Sequence, residues 1–117
     1  MRNSAVAGGD QPSDFGLPAA AIASLQRVFA QHTAIHQAIV YGSRATGDYR
    51  PGSDIDLTLD APPLAFGELL RIEQALDDLM LPYRIDLSLL AHIDNPALRS
   101  HIARVGKVLW QNPSPVN

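Results

Sequence analysis

Two acidic residues at strand spacing are the first feature of the chain with chemical meaning. Asp54 and Asp56 lie in the segment SDIDLTLD, where polar and apolar residues alternate as they do along a β-strand. Residues two apart on a strand point to the same face, so these carboxylates should project side by side. Like charges held together raise a carboxylate pKa unless a cation compensates them. Because Mg²⁺ prefers oxygen ligands of this kind, the pair predicts a divalent metal site.

A Gly-Ser pair precedes the two aspartates by ten residues. Gly42 and Ser43 follow an apolar run, and a glycine there lets the backbone approach an anion where a Cβ would intrude. If a short helix begins at this point, its free N–H groups favour the same anion. Arg44 and Arg50 lie in the same loop, and their guanidinium groups suit phosphate oxygens. The loop therefore predicts a phosphate-binding element.

A third acidic residue occurs in another short β-rich segment. Asp86 lies between Ile85 and Leu87 in YRIDLSLL. If this strand is a neighbour of the Asp54–Asp56 strand, Asp86 completes a triad and either bridges a second metal or accepts a proton from an attacking hydroxyl. The sequence alone does not establish that the two strands are neighbours.

Each pattern also has an ordinary structural explanation. A Gly-Ser pair after a strand is usually a turn, and acidic residues that alternate along a strand usually mark a solvated face. The four histidines, His32, His36, His92 and His101, show no metal-ligand spacing, and Tyr41 is either a core aromatic or a border of the site. A functional site is favoured because four features occur together: a strand, a Gly-Ser turn, an Asp-x-Asp pair at the right spacing and a third Asp.

These residues resemble the signature of the nucleotidyltransferase (DNA polymerase beta-like) superfamily, which is Gly-Ser, roughly ten residues, Asp-x-Asp and a distant third Asp. More narrowly, the chain is similar to the minimal nucleotidyltransferases over about residues 17–111, through GSRATGDYRPGSDIDL, RIDLSLL and HIARVGKVLW. The resemblance implies that Gly42 and Ser43 bind a triphosphate and that Asp54, Asp56 and Asp86 are catalytic and bind metal. It implies two Mg²⁺ ions and ATP as the donor of AMP to an acceptor hydroxyl.

The same resemblance implies a biological role. Minimal nucleotidyltransferases act as antitoxins that silence a HEPN-domain ribonuclease toxin by adenylylating a tyrosine, as in type VII toxin–antitoxin systems. Two alternatives stay open. One is transfer to a small molecule such as an aminoglycoside, against which the short chain argues. The other is a non-catalytic nucleotide-binding module that neutralises a partner protein by binding it.

Composition narrows the classes of partner. A chain of 117 residues predicts a single domain, so the acceptor must dock on the catalytic core or on another subunit. Nine basic against twelve acidic residues leave no basic stripe for a nucleic-acid backbone. The absence of cysteine, of a membrane-spanning run and of a signal peptide predicts a cytoplasmic protein without a membrane partner. Homodimerisation is left open, because no interface pattern is visible.

Hydrophobic periodicity predicts a small α/β domain with a mixed sheet flanked by helices. The expected order is helix, strand, strand, helix, strand, helix and a short final strand at 108–110, and the second helix should run over 66–80 and end before Pro82. Asn95-Pro96 predicts the start of the last helix and Gly106 its end. We expect residues 1–14 to be disordered, 15–111 to form the domain and 112–117 to be a flexible tail.

Overall fold

The computed structural model describes residues 14–114 of the chain. It contains four α-helices and four strands, with short 3₁₀ turns at Asp14–Gly16 and Leu90–His92. In chain order these are α1 (Ala19–Ala30), β1 (Gln37–Tyr41), α2 (Ser43–Thr46), β2 (Ile55–Asp60), α3 (Phe66–Asp78), β3 (Ile85–Leu89), α4 (Pro96–Val105) and β4 (Lys107–Gln111). The predicted disordered segment 1–14 lies outside the described residues except for Asp14, as do residues 115–117 of the predicted tail.

The four strands form one mixed sheet in the order β3-β2-β1-β4. Strand β1 is antiparallel to both β2 and β4, whereas β2 and β3 are parallel and are connected through α3. A parallel pair needs a long crossover, which α3 provides. The predicted fold class, a mixed sheet flanked by helices, is confirmed.

One face of the sheet carries the hydrophobic core. Alternate strand residues meet the apolar faces of α1 and α3 in a single cluster, and its most deeply buried side chains include Leu25, Phe29, Val40, Leu57, Leu59 and Ile72. Burying each side chain of this size stabilises the fold by roughly 1.5–3 kcal/mol relative to leaving it exposed. The period-two pattern thus assigns one face of β1 and β2 to the core and places Asp56 on the opposite face.

Helix α4 packs against β1, and both of its ends are defined by specific contacts. The side chain of Asn95 accepts hydrogen bonds from the N–H groups of Ala97 and Leu98, at 2.9 and 3.1 Å, which is an N-cap. At the other end the N–H of Gly106 donates to the carbonyl of Ile102. The predicted start and end of this helix are confirmed.

The second long helix ends earlier than its periodicity predicts. The prediction was 66–80, but α3 ends at Asp78 and Met80 has a left-handed backbone with φ 56°. The apolar pattern continues past the helix because Leu79 and Leu81 still pack on the core, while Met80 is 84% exposed. Hydrophobic periodicity therefore overestimates the length of this helix.

The chain after β4 begins with a buried residue. Asn112 donates its backbone N–H to the carbonyl of His36 at 2.9 Å and its side-chain Nδ2 to the carbonyl of Thr33 at 3.1 Å. The first residue of the predicted tail is thus held by hydrogen bonds to the segment before β1. The division of the chain into domain and termini otherwise stays a prediction. Among the described residues, none of the helices combines the length and the apolar character needed to cross a membrane.

Candidate active site

Two of the three predicted carboxylates occupy one row of the sheet, on the face opposite the core. Asp56 of β2 is the register partner of Asp86 on β3 and of Tyr41 on β1. Residues in register on neighbouring strands point to the same face, about 5 Å apart. Asp54 lies immediately before β2, two residues from Asp56. The adjacency of the two acidic strands, which the sequence left open, is present.

The carboxylates repel one another. The pKa of Asp56 is raised above its ordinary value of 3.8, mainly by burial and then by the charges of Asp86 and Asp54. A divalent cation bound between these carboxylates would cancel their mutual repulsion, so the cluster favours cation binding.

The donor set fits a hard divalent cation. All three side chains offer carboxylate oxygens, and Asp54 and Asp86 are exposed enough to bind a hydrated ion. Among the residues that the structure describes, no three acidic or histidine side chains converge into a ready-made metal cage. Mg²⁺ does not need such a cage, since one or two carboxylates, waters and substrate phosphates are its usual ligands.

Gly42 brings the Gly-Ser turn into direct contact with Asp56. Its backbone has φ 71° and ψ −154°, a conformation that is nearly exclusive to glycine. A Cβ at this position would lie 2.3 Å from Oδ2 of Asp56. A side chain larger than hydrogen is therefore excluded from the place where the turn and the carboxylate meet.

Ser43 begins α2, so the predicted short helix after Gly42 is present. Its carbonyl accepts hydrogen bonds from the N–H groups of Gly47 and Asp48 at 2.9 and 3.0 Å. These bonds close the C-terminal end of the short helix. The helix has only four residues, so its dipole adds little to anion binding.

The structure argues against the phosphate contact that we predicted for Arg44. This side chain is only 2% exposed, and Nε and Nη2 both donate to the carbonyl of Ser53 at 3.1 and 2.9 Å. Nη1 donates to the carbonyl of Phe15 at 2.9 Å, and the guanidinium lies over the rings of Tyr49 and Tyr83. Arg44 therefore ties the loop before Asp54 to the start of the domain.

Arg50 lies at the exposed tip of the same loop. The tip is closed by Ser53, whose N–H donates to the carbonyl of Arg50 at 2.9 Å and whose Oγ accepts from the Arg50 N–H at 2.8 Å. Within the described part of the chain its guanidinium has no hydrogen bond or ion pair. Arg50 therefore remains a candidate for phosphate contact, whereas Arg44 does not.

Tyr41 is a border of the site as well as a buried aromatic residue. Its pKa is raised, first by burial and also by the nearby charges of Asp56 and Asp86, while a hydrogen bond with Ser88 acts in the opposite direction. The phenol therefore stays neutral and lies across the strands toward β3.

His101 also lies at the site, and sequence reasoning missed it. From α4 its Nε2 accepts a hydrogen bond from the N–H of Gly42 at 3.1 Å, and its ring meets the Tyr41 ring edge to face at 6.3 Å. The two bonded residues are 59 positions apart. No local spacing pattern could have revealed a contact at that separation.

Comparison with known proteins agrees with this geometry. Residues 23–114 match the family model described as polymerase beta, nucleotidyltransferase. The chain belongs to this family. Its sequence-based assignment to the polymerase beta-like nucleotidyltransferases is confirmed, and with it a transferase activity in general terms. No curated protein gives a significant match.

Solved structures with the same fold include toxin–antitoxin systems. A toxin–antitoxin with AMP-PNP is 23% identical, with a TM-score of 0.60, and the match covers 83% of this chain and 76% of that one. Two mutants of the toxin–antitoxin MntA-HpeT are 21% and 24% identical, each with a TM-score of 0.58 and with 83% and 75% of the two chains covered. At these identities the similarity establishes the fold.

Proposed function

We propose that this chain is a Mg²⁺-dependent nucleotidyltransferase that moves AMP from ATP to an acceptor hydroxyl and releases pyrophosphate. The observation that supports it most is the contact between the Gly42 turn and Asp56, with Asp86 in register alongside. The contact supports the proposal because a backbone that suits a phosphate there adjoins carboxylates that suit a metal ion.

The three carboxylates have distinct proposed roles. Asp54 and Asp56 hold the metal, and when bound, Mg²⁺ neutralises charge on the triphosphate and on the leaving pyrophosphate. Asp86 is exposed and adjacent to Asp56, so we assign it to accept the proton of the attacking hydroxyl or to hold a second ion. The acceptor oxygen forms a bond to the α-phosphorus. At the same time the bond between the α-phosphorus and the oxygen that links it to the β-phosphate breaks, and pyrophosphate leaves.

The triphosphate is held on the other side of Asp56. Gly42 and Ser43 supply the close backbone and a hydroxyl, and Arg50 supplies an exposed guanidinium at the loop tip. Arg44 is not part of this proposal, because its donors are already used within the fold.

We propose a tyrosine of a HEPN-domain toxin as the acceptor. Support comes from the fold, since similar solved structures are toxin–antitoxin systems and one contains AMP-PNP, an ATP analogue. The small size of the domain is consistent with an acceptor that docks from a separate protein.

The test is to incubate the chain with a HEPN-domain protein encoded beside it, Mg²⁺ and each nucleoside triphosphate in turn, and to record intact masses. The inactive variant is Asp54→Asn with Asp56→Asn. The matched control is Asp60→Asn, which removes a carboxylate at the other end of the same strand, opposite Gln37.

We expect the toxin to gain one AMP with the wild type and with the Asp60→Asn control, and no gain with the double variant. A stable complex with the toxin and no mass gain from any triphosphate would overturn the catalytic proposal and favour neutralisation by binding. A gain that survives in the double variant would overturn the assignment of these two aspartates.

A further inference from the structure

The Gly42–Ser43 turn is in contact with a helix far along the chain. The N–H of Gly42 does not bond within the turn but donates to Nε2 of His101 on α4, at 3.1 Å. A peptide N–H left without an acceptor in a half-buried position destabilises the fold, because its hydrogen bond to water is lost and not replaced. The imidazole of His101 therefore supplies the acceptor that the N–H of Gly42 needs. It does so at a position whose backbone conformation only glycine adopts easily.

The position of the imidazole is itself determined by its surroundings. Its ring meets the Tyr41 ring edge to face, with an interplanar angle of 80°. Helix α4 begins at the Asn95 cap and ends at Gly106, where a Cβ would come within 2.9 Å of Cγ2 of Ile39 on β1. The helix that carries His101 is thus seated closely on the strand that leads into Gly42.

These contacts form a continuous path from α4 to the carboxylates. His101 holds the N–H of Gly42, and the Cα of Gly42 lies against the carboxylate of Asp56 with no space for a methyl group. A shift of the turn therefore changes its distance to Asp56 directly. Misplacing a reacting group by about 1 Å can reduce a rate by roughly 100-fold.

We infer that His101 is a positioning residue, which holds the Gly42–Ser43 turn at its correct distance from Asp56 through the Gly42 N–H. The inference deepens the proposed function and rests on it for its kinetic consequence. The imidazole is suited to this task because Nε2, when it carries no hydrogen, is a rigid acceptor at the end of a short side chain.

The test compares three substitutions at one position. His101→Gln keeps an amide group at the distance of Nε2, His101→Asn offers one only at the distance of Nδ1, and His101→Leu offers none. The matched control is His92→Leu, which removes an exposed imidazole from the turn that precedes α4.

Two readouts separate this inference from the proposed function. The first is hydrogen exchange of the Gly42 amide in ¹⁵N-labelled protein, which reports the turn without any substrate. The second is kcat and KM for nucleotidyl transfer to the HEPN-domain partner, with binding of Mg²⁺ and AMP-PNP measured by calorimetry. Circular dichroism at the assay temperature shows that each variant is folded.

We expect the Gly42 amide to exchange at least 10-fold faster in the Leu and Asn variants than in the wild type and in the Gln variant. We expect kcat to fall by roughly 100-fold in the Leu variant and to be restored to within several-fold by Gln, with the His92→Leu control unchanged. Equal exchange and equal kcat in the Gln and Asn variants would overturn the inference. So would a folded Leu variant with wild-type exchange and kcat.

Failure of the proposed function has a different signature. A wild type that neither binds Mg²⁺ with AMP-PNP nor transfers a nucleotide would overturn the catalytic proposal. If the Gly42 amide were still protected in the Gln variant and unprotected in the Leu variant, His101 would retain its role in holding the turn.

Discussion

The substitution Gly42→Ala tests the contact on which the site depends. The backbone at φ 71° and ψ −154° lies in a region that is essentially restricted to glycine, and an L-residue held there is destabilised by roughly 1–3 kcal/mol. The added methyl group would lie 2.3 Å from Oδ2 of Asp56 and 3.3 Å from its Cγ. Either the turn or the carboxylate must move.

Gly42→Ala should lower both the stability of the domain and its rate of nucleotidyl transfer, and a separate assay measures each. For a domain of this size, 1–3 kcal/mol lowers the melting temperature by about 4–24 °C. A displacement of the turn or of Asp56 by about 1 Å should reduce nucleotidyl transfer by roughly 100-fold at a temperature where the variant is still folded. Thermal denaturation followed by circular dichroism measures the first, and initial rates of transfer measure the second.

Gly47→Ala is the matched control. Gly47 also has a positive φ, of 91°, but a Cβ there would meet no atom of the described residues within 4 Å. It should therefore lose about 1–2 kcal/mol of stability from backbone strain alone and keep its transfer rate. The reasoning is refuted if Gly42→Ala transfers nucleotide at the wild-type rate, or if both alanine variants lose activity equally.

Three other substitutions probe the surroundings of the site. Because the pKa of Asp56 is raised in the fold, protonation of this carboxyl stabilises the fold fully below pH 3.8, and that stabilisation is lost as pH rises through the folded pKa. Asp56→Asn should therefore raise the melting temperature of the metal-free domain at pH 7 and give no gain below pH 3.8. A lower melting temperature of the variant at pH 7 would contradict this. Arg44→Met leaves the carbonyls of Ser53 and Phe15 without their donor, so the free energy of unfolding measured by urea denaturation should fall by about 2–4 kcal/mol. The control Arg50→Met, at an exposed position, should lower it by less than about 0.5 kcal/mol. Asn95→Ala removes the cap of α4 and should lower the free energy of unfolding by about 1 kcal/mol, whereas an unchanged urea midpoint would show that the cap adds no stability.

Local patterns predicted the elements that carry the site. The alternation around Asp56 predicted a strand with its acidic residues on one face, and β2 has this arrangement because Ile55 and Leu57 are drawn into the core. Asn95 and Gly106 predicted the ends of α4 because the preferences of caps are local.

Contacts between segments that are distant in the chain could not be predicted from local patterns. Arg44 follows Ser43 directly and had the charge expected of a phosphate ligand, but Tyr49 and Tyr83 enclose it and backbone carbonyls use its donors. His101 had no spacing relation to any acidic residue, since its partner is a backbone N–H on another element. Both outcomes depend on tertiary packing, which charge and periodicity do not describe.

The period-two geometry of β2 separates the stability of the domain from the chemistry of its site. Ile55 and Leu57 are completely buried on the core face, while Asp56 points from between them to the opposite face beside Asp86. Exchange of Asp56 for an isosteric amide therefore leaves the core packing untouched and removes repulsion from the metal-free fold. A loss of activity in that variant, combined with a gain in stability, would attribute the loss to the missing charge and exclude unfolding as its cause.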